Sequence, residues 1–259
     1  MVLIRLIRLF VSEMRSHGLF DAIRWVRRLF QKKFYNYKFY QLFLRVRVKL
    51  FPPPKNKRTV TGKTRISILM PVYNTSPSIL IEAIESVRLQ TYQNWELCIC
   101  DDCSTNEETL SVLERYKGSI PNIKIVRSKS SLHIAGATNL AMEFATGDFV
   151  TFLDHDNTIE PDVIERIVEA TFQYIDVDII YIDEDKIEVD GNSVMPYYKP
   201  GWSTELLVIR KRLLLELGGM REMYRDAQDY DLALRATKLA RRIVHIPAIR
   251  STNDRREKH

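Results

Sequence analysis

Residues 66–74 of the chain read Ile-Ser-Ile-Leu-Met-Pro-Val-Tyr-Asn, an apolar run that ends in a proline, an aromatic ring and an amide. Ile66 to Met70 is predicted to form a buried strand because the run is short and apolar. The next residues, Thr75-Ser76-Pro77, predict a helix start, since a hydroxyl can cap a first turn and proline fits within it. A strand followed at once by a helix is the repeating unit of an α/β fold.

Strand and helix patterns keep alternating along the rest of the chain. Further strands are predicted at Trp95 to Cys100, Ile123 to Val126, Phe149 to Leu153, Ile179 to Ile182 and Ile243 to Ile246. Helices are predicted from a capping box of Ser104 and Glu107, over Ala135 to Ala145, after Glu160-Pro161, from Arg210 to Gly218-Gly219, and over Tyr230 to Ala240. A hairpin turning at Asp190-Gly191 joins Ile187 to Met195. This order predicts an α/β fold with a mostly parallel sheet flanked by helices.

The first 58 residues are far more basic than the rest of the chain. They hold 15 Lys and Arg against Glu13 and Asp21, in a chain whose formal net charge is +6, so the remaining residues carry a balance near −7. Apolar residues at helical spacing separate the basic ones, which predicts an amphipathic helical arm over residues 1–50. Such an arm favours binding to an anionic membrane surface.

The boundaries of the globular part follow from the residues after this arm. Pro52-Pro53-Pro54 stops any helix and predicts a linker over residues 51–63, then a globular domain over 64–250 and a polar tail over 251–259. No run reaches the roughly 18 apolar residues of a spanning helix. A signal peptide is not expected, because Arg5 and Arg8 interrupt the first apolar run. Nucleic acid is not an expected partner, because aliphatic side chains rather than aromatic stacking platforms separate the basic residues.

The chain has three cysteines, Cys98, Cys100 and Cys103, within six residues. This clustering is unlike a disulfide framework, so the thiols are expected to be reduced. Zinc binding is disfavoured because no fourth ligand stands nearby. Alternation along a strand instead predicts that Cys98 and Cys100 share one buried face.

Three polar or aromatic segments directly follow predicted strands: Pro71-Val72-Tyr73-Asn74, Asp101-Asp102 and Asp154-His155-Asp156. Ligands of open α/β sheets bind beyond the carboxyl ends of the strands. The first segment could pack a ring on a nucleobase, the second could accept a hydrogen bond from it, and the third suits Mg²⁺ or Mn²⁺ bound to a diphosphate. Each segment alone also fits an ordinary turn or capping loop. Their placement at successive strand ends favours a shared ligand site.

The segment from Ile66 to Asp156 resembles the nucleotide-binding half of the inverting family 2 glycosyltransferases, which have the GT-A fold. The resemblance lies in the first segment quoted above and in Ile-Cys-Asp-Asp-Cys-Ser, Gly-Ala-Thr-Asn-Leu-Ala and Ala-Thr-Gly-Asp-Phe-Val-Thr-Phe-Leu-Asp-His-Asp-Asn. It implies nucleotide contacts from five residues: Pro71 and Tyr73 beside the base, Asp102 hydrogen-bonded to it, Asn139 close to the nucleotide, and Asp154 near the ribose. It also implies that Asp154 and Asp156 hold the Mg²⁺ or Mn²⁺.

Two later segments extend the resemblance to the acceptor side. Tyr-Ile-Asp-Glu-Asp185 and Tyr-Lys-Pro-Gly-Trp202 are similar to family segments where that side begins. Gln-Asp-Tyr-Asp-Leu is similar to the acidic motif that supplies the catalytic base, which implies this role for Asp229. Asp229 could instead be a helix N-cap, and Asp231 is the less favoured base.

The implied activity is transfer of a sugar, with inversion, from a nucleoside diphosphate sugar, expected to be uridine-linked, to a glycan or lipid-linked acceptor. Polysaccharide biosynthesis at the cytoplasmic face of the cell membrane is the expected setting, with residues 1–50 holding the protein peripherally. The alternative is a degenerate, non-catalytic nucleotide-sugar-binding module. This alternative arises because Leu207 and Val208 abut where relatives usually carry a further strand and loop.

Overall fold

The computed structural model of the chain describes residues 63–190, 193–199, 206–224 and 227–254, with side chains over 63–182, 206–224 and 227–246. The strands in these residues are β1 Ile66–Val72, β2 Trp95–Asp101, β3 Ile123–Arg127, β4 Phe149–Phe152, β5 Asn157–Ile159, β6 Ile179–Asp190, β7 Ser193–Lys199, β8 Val208–Arg210 and β9 Ile243–Asp254. The helices are α1 Pro77–Arg88, α2 Glu107–Tyr116, α3 His133–Glu143, α4 Val163–Gln173, α5 Lys211–Glu216 and α6 Gln228–Leu239.

The strands form one mostly parallel sheet in the order β3-β2-β1-β4-β8-β6-β9-β5, with β7 paired to β6. β1 runs parallel to β2 and β4, β2 runs parallel to β3, and β6 runs parallel to β9. The short strands β8 and β5 pair antiparallel to their neighbours. The predicted α/β class and mostly parallel sheet are therefore confirmed.

The chain divides into two compact units. Residues 57–187 and 198–259 form the larger one, which contains the six helices of the described residues and most of the sheet. The other unit comprises residues 1–56 and 188–197, of which the structure describes 188–190 and 193–197, the adjoining ends of β6 and β7. The predicted arm, most of the predicted linker and residues 255–259 lie outside the described residues. No helix in the described part is long and apolar enough to cross a bilayer.

Alternating side chains of the central strands fill two cores, one on each face of the sheet. Ile68 and Met70 of β1 face the first core, to which α1, α2 and α4 contribute apolar residues. Leu69 faces the second core, which is completed by α3, α5 and α6. Cys98 and Cys100 lie buried in this second core, and burial raises the pKa of both thiols to about 12. The prediction that these two cysteines share a buried strand face is confirmed.

Several predicted boundaries shift. The N-cap of α2 is Asn106, whose Oδ1 accepts from the backbone N–H of Glu108 and Thr109, so the predicted capping box beginning at Ser104 is wrong. β9 does not end at Ile246 but continues to Asp254, into the segment predicted to be a polar tail. The glycines after α5, Gly218 and Gly219, have φ of 71° and 73°, which confirms them as the helix end.

Two buried carboxylates join the amino ends of the strands. Glu96 accepts from Ser67 Oγ at 2.6 Å and pairs with Lys124 at 2.8 Å and Arg65 at 3.2 Å. Burial opposes its ionisation, but the bonds from Lys124, Ser67 and Thr146 prevail and lower its pKa to about 2. Asp178, which precedes β6, accepts from Arg241 and pairs with Arg210. The hydrogen bonds from Arg241 likewise lower its pKa to about 2.

Candidate active site

The carboxyl ends of β2, β1 and β4 lie side by side in the sheet. Val72 pairs with Asp101 at the end of β1 and β2, and the N–H of Asp102 donates to the Val72 carbonyl at 2.8 Å. On the other side, the N–H of Leu153 donates to the Leu69 carbonyl at 3.0 Å. The three segments predicted to form a ligand site therefore emerge at one edge of the sheet.

Asn74 fastens the loop after β1 to the loop after β2. Its Oδ1 accepts from the N–H of Thr105 at 2.7 Å and of Asn106 at 2.9 Å, and its own N–H donates to Ser104 Oγ at 2.9 Å. Asn74 has φ of 46°, a left-handed conformation that asparagine tolerates better than most residues. The preceding Tyr73 has 55% of its surface exposed, so its ring is open to a ligand at this edge.

Asp102 fastens the loop after β2 to the loop before α3. Its buried carboxylate accepts from the N–H of Leu132 at 2.6 Å, from Ser131 Oγ at 3.0 Å and from Ser128 Oγ at 3.2 Å. Both oxygens thus have protein donors, which fixes the carboxylate in one orientation. Contact between Asp102 and a nucleobase stays a prediction.

Asn139 pairs with the backbone of the segment that leads into α6. Its Nδ2 donates to the Met220 carbonyl at 2.8 Å, and its Oδ1 accepts from the Met220 N–H at 2.9 Å. A Cβ on the neighbouring Gly219 would lie 2.5 Å from Asn139 Oδ1, so this close approach requires glycine. The predicted contact of Asn139 with the nucleotide stays a prediction, whereas its bonds to Met220 are structural.

Asp154 and Asp156 lie in the turn between β4 and β5, and both are partly exposed. The turn is closed by the N–H of Asn157, which donates to the Asp154 carbonyl at 3.0 Å. Within the described side chains, no group of three or more His, Cys, Asp or Glu is placed to hold a metal ion. Mg²⁺ commonly takes one or two protein carboxylates and completes its shell with water and substrate phosphates. The two carboxylates therefore fit a metal shared with a diphosphate, and not an all-protein metal cage.

Asp229 lies at the same edge because of the direction of α6. The segment after α6 places Arg241 on Asp178 at the amino end of β6, so the helix runs antiparallel to the parallel strands and begins at their carboxyl edge. Asp229 is the second residue of α6, and Ala227 occupies the N-cap position. The alternative that Asp229 is the N-cap of this helix is therefore wrong.

Asp231, the less favoured base, is held in an ion pair. Its Oδ2 accepts from Arg235 Nε at 2.8 Å, and Arg221 stands 3.7 Å from its Oδ1. Arg235 also donates to the carbonyls of Leu217 and Gly219, at 2.9 and 2.8 Å. Asp231 thus orients an arginine that holds the turn after α5. The base role of Asp229 stays a prediction.

The two residues predicted for the acceptor side are less fully placed. Asp185 lies in β6, where its backbone is opposite Thr252 of β9. Its side chain and the whole of Trp202 lie outside the described residues.

Residues 67–228 match the family described as glycosyl transferase family 2. The chain belongs to this family. The resemblance seen in the sequence is thereby confirmed.

This family 2 glycosyltransferase is similar to proteins named for polysaccharide assembly. It is 32% identical to the O-antigen biosynthesis protein RfbC of Myxococcus xanthus, over 70% of this chain and 15% of that protein. It is 32% identical to the amylovoran biosynthesis glycosyltransferase AmsB of Erwinia amylovora, over 70% of this chain and 66% of that protein. An uncharacterized protein of Sinorhizobium fredii, y4gI, is 40% identical over 71% of this chain and 22% of its own length. The chain thus spans only about a seventh of the length of RfbC and about a fifth of that of y4gI.

Solved structures share the fold of this chain. S. aureus TarS 1-349 in complex with UDP-GlcNAc superposes with a TM-score of 0.64 at 20% identity, covering 75% of this chain and 60% of that one. A further crystal structure of S. aureus TarS 1-349 gives a TM-score of 0.63 at 21% identity. These likenesses confirm the GT-A architecture predicted for the chain.

Three sets of hydrogen bonds that hold the site together could not be assigned from sequence motifs: those of the Asn74 amide, of the Asp102 carboxylate and of the Arg235 guanidinium. Of these, only Asn74 has a signal in the sequence: it is an asparagine between a strand and a helix, a place where left-handed backbone is common. The other two depend on residues far apart in sequence. Together they hold the loops after β1, β2 and β3 and the start of α6 in a fixed arrangement.

Proposed function

We propose that this family 2 glycosyltransferase transfers a sugar from a uridine diphosphate sugar to a glycan or lipid-linked glycan, with inversion and with Mg²⁺ or Mn²⁺. The observation that carries the proposal is the convergence on one sheet edge of Tyr73, Asp102, the Asp154 to Asp156 turn and Asp229. These four supply an exposed ring, an oriented carboxylate, a pair of carboxylates for a cation, and a further carboxylate on a separate helix. The fold likeness to TarS, which is known in complex with UDP-GlcNAc, supports the uridine donor.

The donor's uridine would bind between the β1 and β2 loops. Pro71 and Tyr73 flank the base in this proposal, and Asp102 accepts from it with a carboxylate already oriented by Ser131 and Leu132. Orientation before binding lowers the entropy lost on binding. Asn139 contributes by holding the Met220 segment in place beside the nucleotide.

Asp154 and Asp156 would hold the divalent cation, which when bound supplies positive charge for the diphosphate leaving group. Their place in a closed turn after β4 keeps the two carboxylates at the edge where the diphosphate would lie. Asp154 would also lie close to the ribose.

Asp229 is the general base of the proposed reaction. Its carboxylate takes the proton from the acceptor hydroxyl while that oxygen forms a bond to the anomeric carbon. The bond from this carbon to the diphosphate breaks on the opposite side, and a single displacement of this kind inverts the configuration. Asp231 does not compete for the proton because it is paired with Arg235. On the acceptor side, Asp185 and Trp202 are the residues that we propose contact the incoming glycan.

The setting of the reaction is also a proposal. The basic amphipathic segment over residues 1–50 would hold the protein peripherally on the anionic inner face of the cell membrane. Relatives named for O-antigen and amylovoran biosynthesis support a role in polysaccharide assembly.

The test is a panel of nucleotide sugars incubated with the full chain, Mn²⁺ and candidate glycan acceptors, with released diphosphate measured. Release that depends on a uridine-linked donor and on an acceptor would support transfer. The Asp229→Asn protein is the control, because it should bind uridine diphosphate normally yet release it from the donor sugar about 10²- to 10⁴-fold more slowly. Binding of the nucleotide without release from any donor and acceptor would instead support the non-catalytic module.

A further inference from the structure

The edge of the sheet opposite the candidate active site forms a second surface, which carries exposed apolar and basic side chains. It consists of the six loops that lead into the parallel strands, which we call the amino-edge face: residues 63–65, 89–94, 117–122, 144–148, 174–178 and 240–242. Every helix that precedes one of these strands ends here. The face lies wholly within the larger compact unit.

Large apolar side chains are exposed on this face. Ile175 is 88% exposed, Leu89 67% and Phe144 43%, and each follows the last turn of a helix. Three more exposed apolar residues border the same loops: Phe172, Leu239 and Ile243. Six of the thirteen exposed large apolar residues in the described part of the chain thus lie at this edge. Apolar side chains grouped on one surface are typical of interaction sites.

The apolar residues are interleaved with basic ones. The six loops hold Lys63, Arg65, Lys117, Arg241 and Arg242 against Asp148, Asp176 and Asp178. Asp178 is buried under Arg241 and Arg210, so its charge is enclosed. Lys124 and Lys211 add basic side chains beside the same loops, whereas the chain from residue 59 onward has an overall balance near −7. Arg65 and Lys124 pair with the buried Glu96, and Arg242 pairs with Asp176. With these acidic residues counted, the edge keeps a small net positive charge in a domain that is acidic overall.

The chain enters the domain at this face. Lys63 and Arg65 directly precede β1, so the basic amphipathic sequence of residues 1–50 is joined covalently to the edge where the domain is itself basic and apolar. Surfaces that sit at a lipid interface combine these two features: basic groups meet the anionic headgroups and apolar side chains enter the acyl boundary.

We infer that the amino-edge face is a second membrane-contacting surface, which lies against anionic phospholipid headgroups and inserts Leu89, Phe144 and Ile175 at the acyl boundary. The candidate active site then points away from the bilayer. The seven residues of β1 separate the two edges by roughly 20 Å. The inference concerns the domain body and does not require that the protein transfer sugars.

The test is co-sedimentation of the full chain with vesicles of phosphatidylcholine, with and without phosphatidylglycerol. The variant carries Phe144→Glu and Ile175→Glu, two exposed positions at which the fold should tolerate charge. The matched control is Met223→Glu, because Met223 is 80% exposed in the segment before α6, at the opposite edge. Uridine diphosphate binding and far-ultraviolet circular dichroism verify the fold of each protein.

The double variant should partition into phosphatidylglycerol vesicles roughly tenfold more weakly, whereas the Met223→Glu control should bind like the wild type. If the double variant fails to fold, Leu89→Glu on a neighbouring loop takes its place, and a smaller loss of partition into the vesicles is expected. Unchanged partition, or an equal loss in the control, would overturn the inference. So would a change in self-association or in oligonucleotide binding alone, which would assign the face to a second copy or to nucleic acid.

Discussion

The side-chain amide of Asn139 pairs in both directions with the backbone of Met220, across 81 positions of sequence, through bonds of 2.8 and 2.9 Å. The pair connects α3, whose preceding loop is held by Asp102, to the segment that leads into α6 and Asp229. An amide in this position is thus part of the frame that sets the distance between the proposed donor and acceptor sides of the site.

Replacing Asn139 with Asp should destabilise the protein by about 2 kcal/mol, because a carboxylate would face the Met220 carbonyl without a proton to donate. Urea unfolding measures the loss, and titration with uridine diphosphate measures nucleotide affinity in the same protein. If the residue only contacts the nucleotide, affinity would fall while stability stayed at the wild-type value.

Replacing Asp156 with Ala should abolish metal-dependent binding of uridine diphosphate, because a hard cation would keep one protein carboxylate and the diphosphate would lack its counter-charge. Calorimetric titration with uridine diphosphate and Mn²⁺ shows the effect. Asp176→Ala, at the opposite edge of the sheet, is the matched control and should bind normally. An unaltered affinity in the Asp156→Ala protein would exclude this residue as a metal ligand.

Replacing Asp229 with Asn should slow sugar transfer by about 10²- to 10⁴-fold and leave nucleotide affinity nearly unchanged, because positioned proton transfer contributes that much. Ala227, and not Asp229, holds the N-cap position, so the change should have little effect on the helix. Transfer rate and donor affinity are measured side by side.

Asp231→Asn provides the contrast. It should lower thermal stability because Arg235 loses its carboxylate partner. A near-normal rate of sugar transfer by Asp229→Asn, together with a large loss of this rate in a folded Asp231→Asn protein, would assign the base role to Asp231.

Glu96→Gln should destabilise the protein by about 3 kcal/mol at pH 7, since the carboxylate has a pKa of about 2 in the folded chain against 4.5 ordinarily. A carboxylate whose pKa is lowered by folding stabilises the fold at pH values above its ordinary pKa. This stabilisation is lost as the pH falls from about 4.5 towards 2. The difference between wild type and variant should therefore shrink across that window. Urea unfolding at pH 7 and pH 3 tests it, with the exposed Glu169→Gln as control. A constant difference at both pH values would contradict the assignment.

The central half of the sheet was predictable because its signals are local. The apolar runs of β1, β2, β3 and β4 are bounded by turn residues, and the buried alternation of Cys98 and Cys100 follows from period two along a strand. The sequence does not predict β5 and β8, which have three residues each and take their strand character from antiparallel partners far along the chain.

The site was predictable in position but not in its internal bonding. Placement of Tyr73, Asp102 and Asp154 at strand ends follows from the fold. That Asp102 accepts from Ser128, Ser131 and Leu132 does not, because those partners belong to a loop without a motif of its own. The capping-box prediction was wrong for a similar reason: the Ser104 hydroxyl accepts instead from the N–H of Asn74, a residue 30 positions earlier.

The burial of Cys98 and Cys100 means that a thiol reagent can label Cys103 selectively. With pKa values near 12 and no solvent access, these two thiols will not react with maleimides or iodoacetamides in the folded state. Cys103 is the third and last cysteine of the chain, is partly exposed, and follows Asp102 directly. Its thiol lies 3.3 Å from the Ser128 carbonyl, so a label there reports on the junction of the β2 and β3 loops. The wild-type protein can thus be labelled at a single site beside the proposed base-binding carboxylate without an engineered cysteine.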